Sequence, residues 1–289
     1  MANAILLGRL GQEVTDPEEE SFLLFCQSIP SQNLGFVDRT ASTLELTVAG
    51  KDVMIYQSPA VLVSSRQGGT TGAVVWKITP HFANWIASPQ NVLFNTNALS
   101  ASSTVVELGC GVSGLNATAL APMIGYYIAT DQDYVLKLLK QNISENIPSR
   151  KGKNLTTKSN ITATSLDWEL NVIDDDILST IHPHANRPTY SPGIDAIIAC
   201  DCIYNDTLIA PLVSTFASLC HVQASSRTYP TLCIVAQQLR SSDVFEAWMK
   251  AFHMQFRVWR LPDALLTPEL GEGSGYVVHV GVLREQSVS

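Results

Sequence analysis

The stretch Thr104-Val105-Val106-Glu107-Leu108-Gly109-Cys110-Gly111-Val112-Ser113-Gly114 decides how this chain is read. Five residues of strand character run into three glycines at Gly-x-Gly-x-x-Gly spacing, and Leu115-Asn116-Ala117-Thr118 opens a helix behind them. A strand that turns through such a loop into a helix brings bare backbone close to a ligand above the strand end, because glycine has no Cβ and accepts positive φ. Asp131 closes the next apolar strand, Tyr126-Tyr127-Ile128-Ala129-Thr130, twenty residues after Gly111. A carboxylate there can accept hydrogen bonds from both hydroxyls of a ribose.

Taken alone, the glycines and Asp131 fit a dinucleotide site, an S-adenosylmethionine (SAM) site, or a tight turn that binds nothing. Glu107 separates the first two. It stands inside an apolar strand, two residues before the first glycine, where a dinucleotide strand usually carries an apolar residue. A SAM site can use the acid near the cationic amino end of the cofactor.

Outward from this stretch, strand and helix patterns alternate. Further strands are expected at Asn160-Ile161-Thr162-Ala163-Thr164, at 194–199 and at Leu232-Cys233-Ile234-Val235-Ala236. Near-continuous apolar strands separated by helices imply an α/β fold, a parallel sheet covered on both faces. Helices are expected at Tyr134 to Ile143 and at Asp206 to Leu219, the second with Asn205 or Asp206 as N-cap. Phe256-Arg257-Val258-Trp259 and Tyr276-Val277-Val278-His279-Val280 read as closing strands, with a glycine-rich turn at 271–275 between them. Before the glycine loop, Leu44 to Val48 and Val53 to Gln57 form a β-hairpin across Ala49-Gly50-Lys51-Asp52. The acidic run at 16–20 reads as the end of a weakly ordered start. Two polar stretches, 148–160 and 174–193, read as surface insertions.

The bulk numbers agree with a well-buried core: 289 residues, 46% hydrophobic and 15% charged. A net charge of -8 argues against general nucleic-acid binding, which needs clustered Lys and Arg, and suits a basic protein partner. The six cysteines form no Cys-x-x-Cys pair and mostly sit in apolar runs, so buried free thiols and a reducing compartment are expected. The five Asn-x-Ser/Thr sequons, at Asn116, Asn142, Asn154, Asn160 and Asn205, are read as chance, with no signal peptide before them. His182-Pro183-His184 is too small a donor set for a metal, and Asp174-Asp175-Asp176 reads as a solvated run. The chain is expected to be a cytoplasmic or nuclear monomer without a membrane span.

Three more segments complete a pattern: Gly72-Ala73-Val74-Val75-Trp76, Leu166-Asp167-Trp168 and Asp201-Cys202-Ile203-Tyr204. With Glu107-Leu108-Gly109-Cys110-Gly111, they resemble the seven-strand protein lysine methyltransferases that carry an Asp-x-x-Tyr motif. Ala199 to Asn205 and Trp259-Arg260-Leu261-Pro262 are similar to the fungal ribosomal branch. The likeness runs over about residues 44 to 285. It implies a Rossmann-like seven-stranded, mostly parallel sheet with an antiparallel last strand, here preceded by the hairpin. It also implies an N-terminal extension at 1–70 that packs on the core, and a methyltransferase domain at 71–289.

By position, the resemblance implies SAM as cofactor, with S-adenosylhomocysteine (SAH) as product, and a ribosomal protein as partner. Trp76 would pack beside the cofactor. Gly109, Cys110 and Gly111 would line its methionine and ribose part, Asp131 would hold the ribose and Trp168 the adenine, and Cys200 would flank it. Asp201 would position the lysine amine, and Tyr204 would offer an aromatic face to it. Val112-Ser113 departs from the Thr-Gly common among relatives. Read as residues alone, Trp76 and Trp168 also suit a core, and Cys200 a plain buried thiol. The rival readings are a base methyltransferase of nucleic acid, a nicotinamide-dependent oxidoreductase and a non-catalytic binding subunit. The first expects an Asp-Pro-Pro-Tyr motif, and both prolines are missing here.

Overall fold

The computed structural model describes residues 2–30, 35–65, 69–147, 160–170, 173, 193–221 and 229–285. The insertions read at 148–160 and 174–193 lie almost wholly outside these residues, with His182, His184 and the run at 174–176. Ten strands are described: β1 Glu13–Val14, β2 Thr43–Val48, β3 Lys51–Tyr56, β4 Thr104–Leu108, β5 Tyr126–Asp131, β6 Ile161–Ser165, β7 Ala196–Cys200, β8 Leu232–Gln238, β9 Phe256–Arg260 and β10 Tyr276–Leu283. The α-helices are α1 Ala2–Leu10, α2 Pro17–Phe25, α3 Pro59–Leu62, α4 Ile78–Ile86, α5 Val92–Asn95, α6 Leu115–Leu120, α7 Asp133–Asn146, α8 Ile209–Cys220 and α9 Ser242–Gln255.

Eight strands form one sheet in the order β1-β9-β10-β8-β7-β4-β5-β6. The pairs from β8 to β6 are parallel, and β10 runs antiparallel to both β8 and β9. The apolar strands bury both faces, as period-two alternation requires. Val105, Ile198 and Ile234 face a cluster with Phe82 and Trp85 of α4 and Leu139 of α7. Their neighbours Val106, Ile197 and Val235 face Phe216 of α8 and Trp248 and Phe252 of α9. The helix at 242–255 and the one at 78–86 were not anticipated from the sequence. Yet Phe245, Trp248, Met249 and Phe252 of α9 are all buried at helical spacing, and Ser241 caps its start by accepting from Val244 N.

The expected hairpin is β2–β3. Leu44, Val48, Val53 and Ile55 pack on Ala83, Ala87, Leu115 and Ala119. Its outer edge is closed by two asparagines one helical turn apart on α7. Asn142 accepts from Tyr56 N (2.9 Å) and donates to Tyr56 O (2.8 Å), and Asn146 does the same with Met54 at 3.0 and 2.8 Å. Side chains thus replace a neighbouring strand and leave no open ladder there. Asn142 and Asn116 are wholly buried, which removes their sequons from the surface.

The start of the chain corrects the sequence reading. Residues 2–25 are not weakly ordered; they form α1, β1 and α2, and β1 adds an eighth strand by pairing antiparallel with β9. The acidic run at 16–20, read as the end of a weakly ordered start, is a helix start. Asp16 accepts from Glu18 N (2.8 Å) and Glu19 N (3.2 Å), Pro17 occupies the first turn, and the glutamates favour the positive end of the helix dipole. Glu20 is buried and pairs with Nε2 of the fully buried His279 on β10 at 2.9 Å. Burial pushes the Glu20 carboxyl up, but the hydrogen bond and charge of His279, helped by Arg260, bring it below its ordinary value. Leu6, Leu10 and Leu24 are buried too, each contributing roughly 1.5–3 kcal/mol.

The helix expected at Asp206 to Leu219 also starts differently: Asn205 caps a 3-10 turn at Asp206–Leu208 that leads into α8. All six cysteines are free thiols, five of them buried, and Cys26 is exposed. Among the described residues no helix is long and apolar enough to cross a membrane. Replacing Glu20 by Ala leaves His279 without its partner, and we expect a loss of about 1–3 kcal/mol in a urea titration. An unchanged midpoint would mean that α2 does not dock on the sheet as described.

Candidate active site

The chain leaves β4 at the centre of the sheet, between β5 and β7, where the strand order reverses. Open α/β sheets bind ligands at the carboxyl ends of their strands at such a point. Gly109 and Gly111 both take left-handed backbone there, with φ of 65° and 62°. A Cβ on Gly109 would meet Cys202 Sγ at 2.8 Å and the Trp168 ring at 3.0 Å. The loop is tied down on three sides. Cys110 N donates to Thr130 O (3.0 Å), Gly111 N to the Asp131 carboxylate (2.7 Å), and Val112 N to Gly72 O (2.9 Å). The departure at Val112-Ser113 therefore leaves a firmly held loop.

Two acids stand at this turn. Glu107 is buried and accepts from Asn116 Nδ2 (2.6 Å) and the Tyr127 hydroxyl (2.8 Å). Burial raises it to about 7 in spite of those two donors. Asp131 is partly exposed to the cleft and accepts from Gly111 N and Gln132 N, both at 2.7 Å. Desolvation still holds it at about 6 against these donors. Burial pushes the Cys110, Cys200 and Cys202 thiols well above their ordinary value, so they stay protonated and act as packing rather than as nucleophiles.

The other wall is the end of β7. Asp201 has a φ of 61°, uncommon for a residue with a Cβ, and its N–H donates to Ala236 O at 2.7 Å. Cys202 Sγ donates to Leu108 O (3.2 Å), which closes the gap between the two strand ends. Tyr204 stands at the mouth, 37% exposed, and its hydroxyl accepts from Thr71 Oγ1 at 3.1 Å. Trp76 donates from Nε1 to Thr71 O (3.1 Å) and packs against Phe36 with ring centres 4.4 Å apart. The Trp168 indole nitrogen is buried with no hydrogen-bond partner among the described residues.

All ten residues singled out in the sequence (Trp76, Glu107, Gly109, Cys110, Gly111, Asp131, Trp168, Cys200, Asp201 and Tyr204) line one cleft of about 850 Å³, part of it open to solvent. Among the described residues no group of three or more His, Cys, Asp or Glu is placed to hold a metal ion.

With this geometry in hand, comparison with known proteins is direct. A lysine methyltransferase family matches residues 56–252. The chain belongs to that family. The match takes in every residue of the cleft named above and leaves out β9, β10, α1, β1, α2, β2 and all of β3 but its last residue. Two ribosomal lysine N-methyltransferase 5 proteins are 30% identical. For the one from Lachancea thermotolerans the match covers 78% of this chain and 84% of that protein, and for the one from Zygosaccharomyces rouxii 68% of each. A Schizosaccharomyces pombe protein named diaminohydroxyphosphoribosylamino-pyrimidine deaminase is also 30% identical, over 85% of this chain. The chain spans about half, 53%, of that relative's length.

Sequence reasoning missed Arg240, which pairs with a residue of the cleft. Asp201 was read as a carboxylate free to meet an amine. Instead Arg240 Nη1 donates to its Oδ1 at 2.7 Å and Nη2 to its Oδ2 at 2.5 Å, with Gln238 N adding a third bond to Oδ1 at 3.3 Å. The signal was available: Arg240 lies two residues past the end of β8, on the same sheet edge as the glycine loop. Asn116, the donor to Glu107, was read only as a helix start. For the loop itself, we expect Gly109→Ala to cost about 1–3 kcal/mol, because the new Cβ must displace Trp168 at a left-handed position. Denaturation followed by tryptophan fluorescence will show it as a lowered midpoint and an altered native spectrum.

Proposed function

We propose that this chain is a SAM-dependent protein-lysine N-methyltransferase whose substrate is a ribosomal protein, working in the cytoplasm as a monomer. The observation that supports it most is the cleft itself. A left-handed glycine turn with no room for a side chain at Gly109 faces Asp131, while Asp201 and Tyr204 rise from the next strand end. The cleft suits the cofactor on independent grounds. It offers two carboxylates for hydroxyl and amino groups, and the Trp168 indole N–H at its wall is buried without a partner in the described residues. An unpartnered buried polar group at a cleft wall is satisfied when a polar ligand arrives.

Bound there, SAM supplies a methyl group already activated on a positively charged sulfur. The residues of the chain supply alignment and the right protonation state. Asp131 accepts from the ribose and Glu107 faces the amino end. Trp168 takes the adenine and Trp76 covers the side. Cys200 and Cys110 fill the wall as neutral thiols. The acceptor nitrogen must be neutral to be a nucleophile, and at pH 7 deprotonating a free lysine costs about 4.6 kcal/mol. Tyr204, aromatic and half-exposed at the mouth, offers a face to the amine as it enters.

The deaminase name of the S. pombe relative is not carried over. Zinc deaminases that attack a pyrimidine-type ring hold their metal through a His-x-Glu and a Cys-x-x-Cys, and this sequence contains no Cys-x-x-Cys. Incubation with methyl-labelled SAM and total ribosomal protein should label polypeptide, and the label should survive nuclease and vanish with protease. Label on RNA would replace the lysine reading with base methylation.

The raised acids give a pH dependence with a definite sign. SAH needs ionised Asp131 and Glu107, which carry protons below about 6 and about 7 in the free protein. Affinity therefore rises from pH 5 through about 7 and levels only above it, with proton release on binding between about pH 6 and about pH 7. Calorimetry in two buffers of different ionisation heat measures both. Asp131→Asn should weaken SAH by about 10- to 100-fold and remove the lower part of that dependence.

A further inference from the structure

We propose that Arg240 is a positioning residue of the methyl transfer: it clamps Asp201 and cancels its charge, so that the cleft takes the lysine nitrogen in its neutral, nucleophilic form. The inference rests on the lysine reading above and deepens it.

A lone carboxylate at the acceptor end works against this reaction, since a negative charge beside an amine favours the ammonium form. The Asp201 side chain is 1% exposed, so water cannot screen it. Arg240 meets it with two parallel N–H bonds, the fork geometry that fits a carboxylate best, and a guanidinium does not give up its proton. The pair carries no net charge into the cleft, although Arg240 itself is not part of the lining.

Asp201 is not the only contact that holds Arg240. Its guanidinium carbon lies 4.8 Å above the centre of the Trp76 ring, and Nη2 also donates to Gln238 Oε1 at 2.8 Å. Above it, Gly35 takes a φ of 83°, and a Cβ there would stand 2.0 Å from Gln238 Oε1 and 2.6 Å from Arg240 Nη2. Gly35 O in turn accepts from Lys77 N at 2.7 Å, next to Trp76. One cation thus ties the acceptor-side acid to the tryptophan beside the cofactor site.

The other charged groups lining the cleft are the carboxylates Glu107, Asp131, Asp167 and Glu169. The phenols of Tyr134 and Tyr204 and the three thiols complete its titratable set. All of them are common to the variants below.

The test is the pH profile of kcat with labelled SAM and total ribosomal protein, beside SAH affinity by calorimetry, for wild type, Arg240→Gln, Arg240→Lys and Asp201→Asn. In Arg240→Gln the acidic limb should move up by about 1–3 pH units, a tenfold or greater loss at fixed pH on that limb. Arg240→Lys keeps the charge and should keep the wild-type limb, with a lower plateau from the lost fork. Asp201→Asn leaves the cation alone and should move the limb down. SAH affinity should change far less than kcat in the Arg240 variants. A limb unmoved in Arg240→Gln, with the rate lowered equally at every pH, would overturn the proposal and leave Arg240 as structural support. If Arg240→Gln does not fold, coincident limbs for Arg240→Lys and Asp201→Asn overturn it instead. A wild type that binds SAH but labels no polypeptide at any pH would refute the lysine reading, and this proposal with it.

Discussion

The hydrogen bond from Gly111 N to the Asp131 carboxylate, 2.7 Å long, is the contact on which the site depends. It joins the loop after one central strand to the end of its neighbour, and it does so at the reversal of strand order. The bond requires a bare, left-handed glycine backbone on one side and a carboxylate at one register of the parallel ladder on the other. Thr130 reinforces the register by donating its hydroxyl to Glu107 O at 2.7 Å, so the two acids of the cleft keep a fixed spacing. A shift of one residue in that ladder would turn Asp131 to the other face of the sheet and dissolve the site.

Charge is handled in two different ways within the same cleft. At the glycine turn, Glu107 and Asp131 have no cation beside them among the described residues, and desolvation raises both toward neutrality. At the end of β7, Asp201 has a permanent cation in Arg240. The two halves follow from one rule: a carboxylate in a poorly hydrated place either gains a partner or tends to take a proton. Which happens at each position sets what that end of the cleft can receive.

The peripheral elements serve the same centre. The hairpin β2–β3 packs on the helix that follows the glycine loop, and one of the two α7 asparagines that seal its edge also reaches the loop, since Asn142 donates to Val112 O at 2.7 Å. At the far edge, β1 and α2 cover β9 and β10, strands that the matched family region does not include. The Glu20–His279 pair fixes that cover through a buried contact between residues 259 apart in the chain.

The five parallel strands, the hairpin and all ten cleft residues were legible in the sequence. Each rests on a local signal: an apolar run, a turn residue, or a short motif at a strand end. The ordered start of the chain was not legible, because an acidic run looks the same whether water or a capped helix receives it. Only the position of His279 and Arg260 opposite Glu20 distinguishes the two. Arg240 escaped for a related reason. By itself it is one arginine after a strand, and its role comes from Asp201, 39 positions earlier. Local chemistry therefore determined the sheet, the glycine turn and the identity of the acids. The tertiary structure alone decided which of those acids is paired and which is left open, since the free energy of a buried charge depends on neighbours that the chain brings together only by folding.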